Sequence, residues 1–419
     1  MQTITLVSGG SRGDIQPFLL LGRALAEAGL NVSLALPASY QKEADALGLD
    51  FTPLRADFDR LLAGQSGQNL KRSGQNPLAV FREGQHLMKD AARLLVEDIW
   101  ELSQTSAALV GHIGLSACTQ TLSLLRGIPL IHVCLQPFMP TAAFPHPLLP
   151  IQFSLGGGYN RLTGDLVKRI TWTVFAGETN HLLEKRLNQA PVKWRDYKRH
   201  LDHSPILNAF SGSLIPFPGD WKSNNEITGF WYPTMPEAWQ APHALVEFLE
   251  SGSQAIFVGF GSVSDTASLS IVLDALDMAG ERAVLVGFDV TDCPLPDTVF
   301  AISSIPYEWL FGHVKAAVYH GGAGTTALAL RAKLPMLAVP QLLDQFFWAD
   351  CVFRYGAAVK PIPNKKLNAQ NLADAITYLS HEDNLRERAA FLGEQIQKED
   401  GLTRAVSIIR ERLSNHKSE

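Results

Sequence analysis

A chain of 419 residues is long for one core and is expected to divide into two or three domains. Its 46% hydrophobic and 18% charged content suits large buried cores and excludes a disordered protein, while a net charge of −5 gives no basic footprint for a nucleic-acid partner. Cys118, Cys134, Cys293 and Cys351 lie far apart without paired ligand spacing, so neither a disulfide nor a structural zinc is expected, and no apolar run is long enough for a membrane span.

The chain opens on an apolar, β-branched run over residues 3–7, without the cationic segment of a signal peptide. Next come Ser8-Gly9-Gly10-Ser11-Arg12-Gly13-Asp14-Ile15-Gln16-Pro17 and then helical periodicity over residues 18–28 ended by Gly29. Residues 31–36 supply the next strand, so the opening is a βαβ unit of parallel-sheet type. A nicotinamide fingerprint is excluded. Ser8 occupies the first glycine position of G-x-G-x-x-G, and the second strand ends at Pro37-Ala38-Ser39 with no carboxylate for a ribose. Arg12 and Asp14 fall just beyond the carboxyl end of the first strand, where open α/β sheets bind ligands. Asp14 is therefore a candidate base facing a cleft and, equally, a candidate cap for the following helix.

Residues 64–76, rich in Gly, Gln, Ser and Asn, read as a loop of the kind that gates a site. Asp57-Phe58-Asp59 has the form of a D-x-D metal clamp, but it lies in the half of the chain without a diphosphate loop and is read as structural. Helical spacing over residues 77–103 supplies core positions. Strands at 107–110 and 129–135 flank a helix at 117–125, and His112 follows the first of them as either a cleft residue or a satisfied structural histidine. Residues 136–153 hold five prolines among Phe138, Met139, Phe144, Leu148 and Leu149; this loop either lines an apolar pocket or covers the top of the core. A long helical region over 160–187 and two short strands complete a first lobe, residues 1–228. Residues 229–242, with three prolines, four aromatics and no sustained period, read as the linker.

A second lobe is expected over residues 243–396. Residues 255–262 restart the strand-plus-glycine-turn pattern, with Gly261 and Ser262 in the turn, which implies two Rossmann-like lobes. Ser304-Ile305-Pro306-Tyr307-Glu308-Trp309-Leu310 is a turn carrying aromatics, and Ile305, Pro306 and Trp309 suit a planar base. The apolar run 316–319 then leads into His320-Gly321-Gly322-Ala323-Gly324-Thr325-Thr326 and an Ala/Leu helical segment at 327–332. Gly322 and Gly324 let the backbone approach a ligand, and Thr325 and Thr326 open a helix whose unpaired N–H groups and dipole favour an anion. The expected ligand is a phosphate or diphosphate. No Gly-Lys-Ser/Thr closes the turn, so an ATP site of the P-loop kind is excluded and His320 is the directed donor. Asp344-Gln345 follows a strand at 336–340; a carboxylate beside a carboxamide suits adjacent sugar hydroxyls. A strand at 357–361 and amphipathic helices near 368–379 and 384–414 end the chain, with residues 397–419 read as a final helix.

The HGGAGTT turn together with Asp344-Gln345 resembles the donor-binding signature of nucleotide-sugar glycosyltransferases of the GT-B fold, most closely the sterol glucosyltransferase-like branch. Residues 10–17, GSRGDIQP, are similar to the GSRGD-x-x-P motif of bacterial antibiotic and sterol-type glycosyltransferases. The resemblance implies an α/β protein of two Rossmann-like lobes facing a cleft, with the acceptor on the first lobe, the donor on the second, and the last helix crossing back to the first. It implies Asp14 as the base, Gly261 and Ser262 on the donor phosphates, and Arg12, His112, Phe138, Met139 and Phe144 on the acceptor side. It further implies an inverting transfer, without metal or cofactor, from a nucleotide-sugar co-substrate, UDP-glucose first, to a hydroxyl of an apolar small molecule or lipid. Tyr319 stands where many relatives carry a second histidine, and Gln341-Leu342-Leu343 departs from the sterol pattern. A dTDP-deoxysugar (rhamnosyl-type) transferase, a nucleotide-sugar epimerase of the same fold and a binding protein without turnover therefore stay open. The expected location is cytoplasmic, with room for a peripheral contact at the inner face of a membrane; the oligomeric state is left open.

Overall fold

Two stretches of alternating apolar runs and amphipathic segments build two separate parallel sheets. The computed structural model describes residues 3–56, 77–149, 153–233, 235, 239–260, 266–291 and 293–416. In the first lobe, β1 (Ile4–Val7), β2 (Val32–Pro37), β3 (Asp50–Leu54), β4 (Ala108–His112), β5 (Leu130–Cys134), β6 (Ile206–Asn208) and β7 (Asn225–Ile227) lie in the order β3-β2-β1-β4-β5-β6-β7. In the second, β8 (Ile256–Gly259), β9 (Ala283–Val286), β10 (Val299–Ile302), β11 (Ala317–Tyr319), β12 (Met336–Ala338) and β13 (Ala358–Val359) lie in the order β10-β9-β8-β11-β12-β13. Sheets covered on both faces by helices need apolar strands without polar alternation, which is how β1, β4, β8 and β11 read.

Each sheet reverses its strand order once, between β1 and β4 and between β8 and β11. At such a reversal the connections leave on opposite faces and open a crevice beyond the carboxyl ends of the strands. The registers Val7↔Gly111 and Gly259↔Tyr319 set the residues after these strands at the crevice: the 8–17 loop beside His112 in one lobe, and His320 beside Phe260 in the other. Strand order alone thus brings the two loops singled out in the sequence to equivalent positions.

The helices are, in chain order, α1 (Arg12–Glu27), α2 (Gln41–Ala46), α3 (Pro77–Thr105), α4 (Ser116–Arg126), α5 (Gly157–Arg186) and α6 (Trp194–Leu201) in the first lobe. The second holds α7 (His243–Glu250), α8 (Thr266–Ala279), α9 (Tyr307–Leu310), α10 (Ala323–Arg331), α11 (Gln345–Tyr355), α12 (Ala369–His381) and α13 (Asp383–Gln397), and α14 (Gly401–His416) ends the chain. Three boundaries differ from the periodicity. Helix α1 starts at Arg12, not at residue 18, because the Ser11 N–H is taken up by Asp14 in the first turn; Pro17 then forfeits one backbone bond without stopping the helix. Helix α10 starts at Ala323, so Gly324 and both threonines lie inside its first turn. The helix expected over 384–414 is broken into α13 and α14, since a Cβ at Gly401 would sit 2.5 Å from the Phe230 carbonyl oxygen and only glycine lets the chain cross there.

Beside that crossing, Glu399 Oε1 accepts from the hydroxyls of Ser211 (2.7 Å) and Ser213 (3.0 Å). Helix α14 then buries Ala405, Val406, Ile408 and Ile409 with Phe18, Leu21 and Leu25 of α1, and Arg412 pairs with Glu226 at 3.1 Å, so the final helix packs in the first lobe. The lobes also meet through α11. Trp348, with no exposed surface, packs its ring at 6.3 Å from Phe210 and 5.9 Å from Phe230, and Phe347 meets Phe144 at 5.4 Å. The Asp57-Phe58-Asp59 and 64–76 readings, and the Gly261 and Ser262 assignments, fall outside the described residues. No helix among the described residues is long and apolar enough to cross a membrane.

Candidate active site

On the first-lobe side of the cleft the site is built around Asp14. Its Oδ2 accepts from both the backbone N–H and the hydroxyl of Ser11, each at 2.9 Å. Gly10 makes room for this carboxylate: its φ is +131°, and a Cβ there would lie 2.5 Å from Oδ2. Asp14 Oδ1 faces His112 Nε2 at 3.7 Å, longer than a hydrogen bond. The Gly114 N–H donates to His112 Nδ1, which leaves the proton of a neutral ring on Nε2, aimed at Asp14. Burial holds the His112 pKa below its usual value, and the Asp14 charge partly opposes this. The helix-start reading of Asp14 is thus seen in Oδ2, while Oδ1 faces His112.

Arg12 is exposed at the start of α1, and its charge acts on Glu308 of α9 in the second lobe. Phe138 and Met139 depart from their pocket assignment. Both are buried in the core: Phe138 packs edge-on to His146 at 5.6 Å, and the Met139 carbonyl accepts from Trp221 Nε1 at 3.2 Å. A proline-rich loop must satisfy its own backbone, and these two side chains anchor it. Phe144 is half-buried and, through Phe347, borders the cleft. His132 is sealed in β5 with its pKa pushed down to about 3 by burial, which removes it as a base.

On the opposite side, β11 runs through His320 into α10. Gly321 needs its φ of +86°, and a Cβ there would lie 2.8 Å from the Gln345 carbonyl oxygen, so the diphosphate-type turn and the Asp344-Gln345 pair touch backbone to backbone. A Cβ at Gly322 would meet His320 Nε2 at 2.4 Å; glycine is what lets the ring lie over the turn. Burial lowers the His320 pKa, opposed by the Gly259 backbone, so the ring is a neutral donor. Gly324 has open space where a Cβ would stand, and Gly324 and Thr325 present first-turn N–H groups that a helix cannot pair internally. Thr326 departs from its assignment: its N–H donates to the Gly322 carbonyl at 2.9 Å, and its hydroxyl lies at 2.8 Å from Tyr319 and 2.9 Å from Gly322, so the residue braces the turn from beneath. Tyr319, a departure from the family pattern in sequence, is the buried partner in that brace.

Asp344 and Gln345 start α11. Gln345 Oε1 accepts from the N–H groups of Gln341 (2.8 Å) and Leu342 (3.0 Å), which fixes the orientation of its amide. Asp344 Oδ2 accepts from Trp348 Nε1 at 3.0 Å. Burial raises the Asp344 pKa to about 6; the Trp348 bond opposes this, and the negative charge of Asp14 across the cleft adds to it. Sequence reasoning missed Trp348, although its spacing of four from Asp344 on a helix was the available signal. At the base end, Pro306 precedes α9 and Ile305 is partly buried beside it, while Trp309 is stacked on His313 (4.0 Å, 24°) and meets Trp239 at 5.4 Å. One face of Trp309 is therefore already covered. Among the described residues no three His, Cys, Asp or Glu converge as a metal site.

Comparison with known proteins agrees with this geometry lobe by lobe. Residues 4–127 match the glycosyltransferase family 28 N-terminal domain, and residues 281–408 match the erythromycin biosynthesis protein CIII-like C-terminal domain. A sterol 3-beta-glucosyltransferase of Arabidopsis thaliana is 31% identical over 433 residues, covering 100% of this chain and 66% of that protein. The chain belongs to the GT-B UDP-glycosyltransferases. A sterol 3-beta-glucosyltransferase of Emericella nidulans is 30% identical over 97% of this chain, which spans only 30% of that protein's length. Among solved structures, the glycotransferase of kitacinnamycin superposes with a TM-score of 0.73 at 18% identity, over 98% of this chain and 99% of its own. This GT-B glycosyltransferase thus sets Asp14 and the His320 turn at equivalent crevices of its two lobes.

Proposed function

We propose that the protein transfers a hexose from a UDP-sugar, with UDP-glucose the first donor to test, to the hydroxyl of a sterol-type or other apolar lipid alcohol, with inversion at the anomeric carbon and without a metal. The observation that carries this is the placement of Asp14 and of the His320 turn, which touches the Asp344-Gln345 pair, at the equivalent crevices of the two lobes. Asp14 Oδ1 takes the proton of the acceptor hydroxyl while that oxygen attacks the anomeric carbon from the face opposite the diphosphate. The bond from the anomeric carbon to the diphosphate oxygen breaks, and UDP leaves carrying the electron pair. His320 and the first-turn N–H groups of α10 meet the charge that develops on it, the step at which fixed donors count most. Asp344 and the Gln345 amide hold the sugar hydroxyls. The His112 N–H, aimed at Asp14 Oδ1 from 3.7 Å, closes to a hydrogen bond as the acceptor binds and orients the base.

The sterol-type acceptor is supported by the two relatives named as sterol 3-beta-glucosyltransferases, which match nearly all of this chain. The test is mass spectrometry of products from a mixed pool of UDP-hexoses, dTDP-deoxysugars and lipid alcohols, with NMR of the anomeric proton and a parallel run in chelator. A hexosyl lipid of inverted configuration, formed equally in chelator, is expected. Transfer only from dTDP-deoxysugars would change the donor; an epimerised nucleotide sugar without glycoside, or UDP binding without turnover, would overturn the reading.

A further inference from the structure

Among the described residues three other than glycine have a positive φ: Asn188 at +49°, Lys333 at +62° and Leu343 at +48°. Asn188 and Lys333 stand one residue past the C-caps of α5 and α10, where a left-handed residue is an ordinary way to end a helix. Leu343 has no such role. It stands directly before Asp344, the N-cap of α11, as the first central residue of a tight turn that the Gln345 N–H closes on the Leu342 carbonyl at 3.2 Å. A positive φ at that position calls for glycine, because the left-handed backbone crowds any Cβ.

The turn is fixed from both ends, which holds the leucine in place. Gln345 Oε1 takes the N–H groups of Gln341 and Leu342, and Asp344 Oδ2 takes Trp348 Nε1, on a ring with no exposed surface. Burial does not offset the strain, since Leu343 is 60% and Leu342 57% exposed. A bulky apolar residue kept in a strained backbone, with no packing in return, points to a functional site. Its surroundings say which. The turn follows β12 beyond the carboxyl edge of the second sheet, its Gln345 carbonyl abuts Gly321 of the His320 turn, and Phe347, four residues on, meets Phe144 of the proline-rich loop at 5.4 Å. Two exposed leucines thus precede the pair proposed to hold the sugar, on a turn tied to the donor turn and leading into the helix that meets the acceptor-side loop.

We propose that Leu343, with Leu342 beside it, selects the nucleophile: the two side chains cover the sugar end of a bound UDP-sugar and keep water from the anomeric carbon. This rests on the transferase reading above. Without the cover, water competes with the lipid alcohol. Its oxygen bonds to the anomeric carbon, one of its protons passes to Asp14, the bond to the diphosphate oxygen breaks and UDP leaves with the electron pair, which yields a free hexose in place of a glycoside. Closing a site against water suppresses that side reaction, and apolar side chains at the rim do so without offering water a partner.

The experiment gives the full chain the same pool of UDP-hexoses and lipid alcohols and reads glycoside and free hexose by mass spectrometry. Leu343→Gly keeps the turn, since glycine takes a positive φ freely, and removes only the side chain. Its melting temperature should equal or exceed the parent's and its UDP affinity by calorimetry should be unchanged, while the ratio of free hexose to glycoside rises at least about tenfold. Leu343→Met retains an apolar cover and should hold the ratio near the parent's. An unchanged ratio in Leu343→Gly overturns the proposal, while the parent's glycoside leaves the transferase reading standing. A lowered melting temperature with both products reduced alike also overturns it, because that assigns Leu343 to the fold. So does a ratio in Leu343→Met as high as in Leu343→Gly, since apolar cover is then not what matters. A parent that forms no glycoside refutes the transferase reading itself, and this proposal with it.

Discussion

Replacing Asp14 with Asn separates the helix-start bonds that the structure shows from the base role proposed for the same side chain. The Ser11 N–H and hydroxyl both reach Oδ2 at 2.9 Å, and a carboxamide oxygen in the same place accepts both, so the start of α1 is kept. What is lost there is the negative charge at the helix start, about 0.3–1 kcal/mol at low ionic strength. For a lobe of this size that corresponds to a fall in melting temperature of no more than about 2–4 °C. What is lost at Oδ1 is the basic oxygen facing His112 and the cleft. A general base contributes about 10²–10⁴ in rate, or roughly 2.7–5.4 kcal/mol of barrier. The asymmetry decides the experiment: a large kinetic loss on a nearly unchanged fold. Initial rates of glycoside formation with saturating donor, read by mass spectrometry, are expected to fall at least about a hundredfold, with UDP affinity by calorimetry unchanged. Because the Asp14 charge helps raise the Asp344 pKa, the Asn variant should also move Asp344 titration to lower pH. Turnover within about threefold of the parent would remove Asp14 as the base, since no general-base contribution is that small.

Gly322→Ala places a Cβ 2.4 Å from His320 Nε2 and should swing the ring off the turn, weakening UDP binding by roughly 1.5–3 kcal/mol, the worth of a hydrogen bond to a charged group; unchanged affinity by calorimetry takes His320 out of the diphosphate site. Trp348→Phe keeps most of the ring against Phe210 and Phe230 but deletes the N–H held by Asp344, so UDP-sugar affinity should drop more than UDP affinity; equal losses would mean that the bond supports the lobe contact alone. Asp344 has its pKa raised from 3.8 to about 6, so its folding contribution is fully present below 3.8 and is lost as pH rises through about 6. Asp344→Asn should therefore gain melting temperature relative to the parent as pH rises from about 4 to about 6 and hold that gain above it, and a difference that does not vary across that window would show that the buried carboxylate is not under strain.

The strand, glycine turn and helix around His320 were legible because their signal is local. An apolar run, a glycine turn with one histidine and an Ala/Leu helix are contiguous in sequence, and each glycine proves to answer a specific crowding: Gly321 at the Gln345 carbonyl and Gly322 at the His320 ring. Thr326 was misjudged for the same reason in reverse. In sequence it belongs to the turn that faces the ligand, but helical geometry rotates it under the turn, where Tyr319 and Gly322 hold its hydroxyl. Phe138 and Met139 were ambiguous because an apolar residue in a loop looks alike whether it lines a pocket or pins the loop to the core, and only burial distinguishes the two.

By itself the sequence determined what depends on neighbours in the chain: two lobes of parallel-sheet type, the glycine turn at 320–326 between a strand and a helix, and the first-strand loop with Asp14 beyond its end. Tertiary structure decided what depends on long-range register. The pairing of β1 with β4 brings His112 to Asp14 from a distant part of the chain, and the glycine crossing at Gly401 returns the last helix to the first lobe. Trp348 fixes Asp344 while sealing the lobes together, a double role set by rings that come from Phe210 and Phe230. Hydrophobic periodicity records which face of an element is buried, but not against what; the identity of the partner is written only in the packing, and the reactive geometry of this cleft is made of partners.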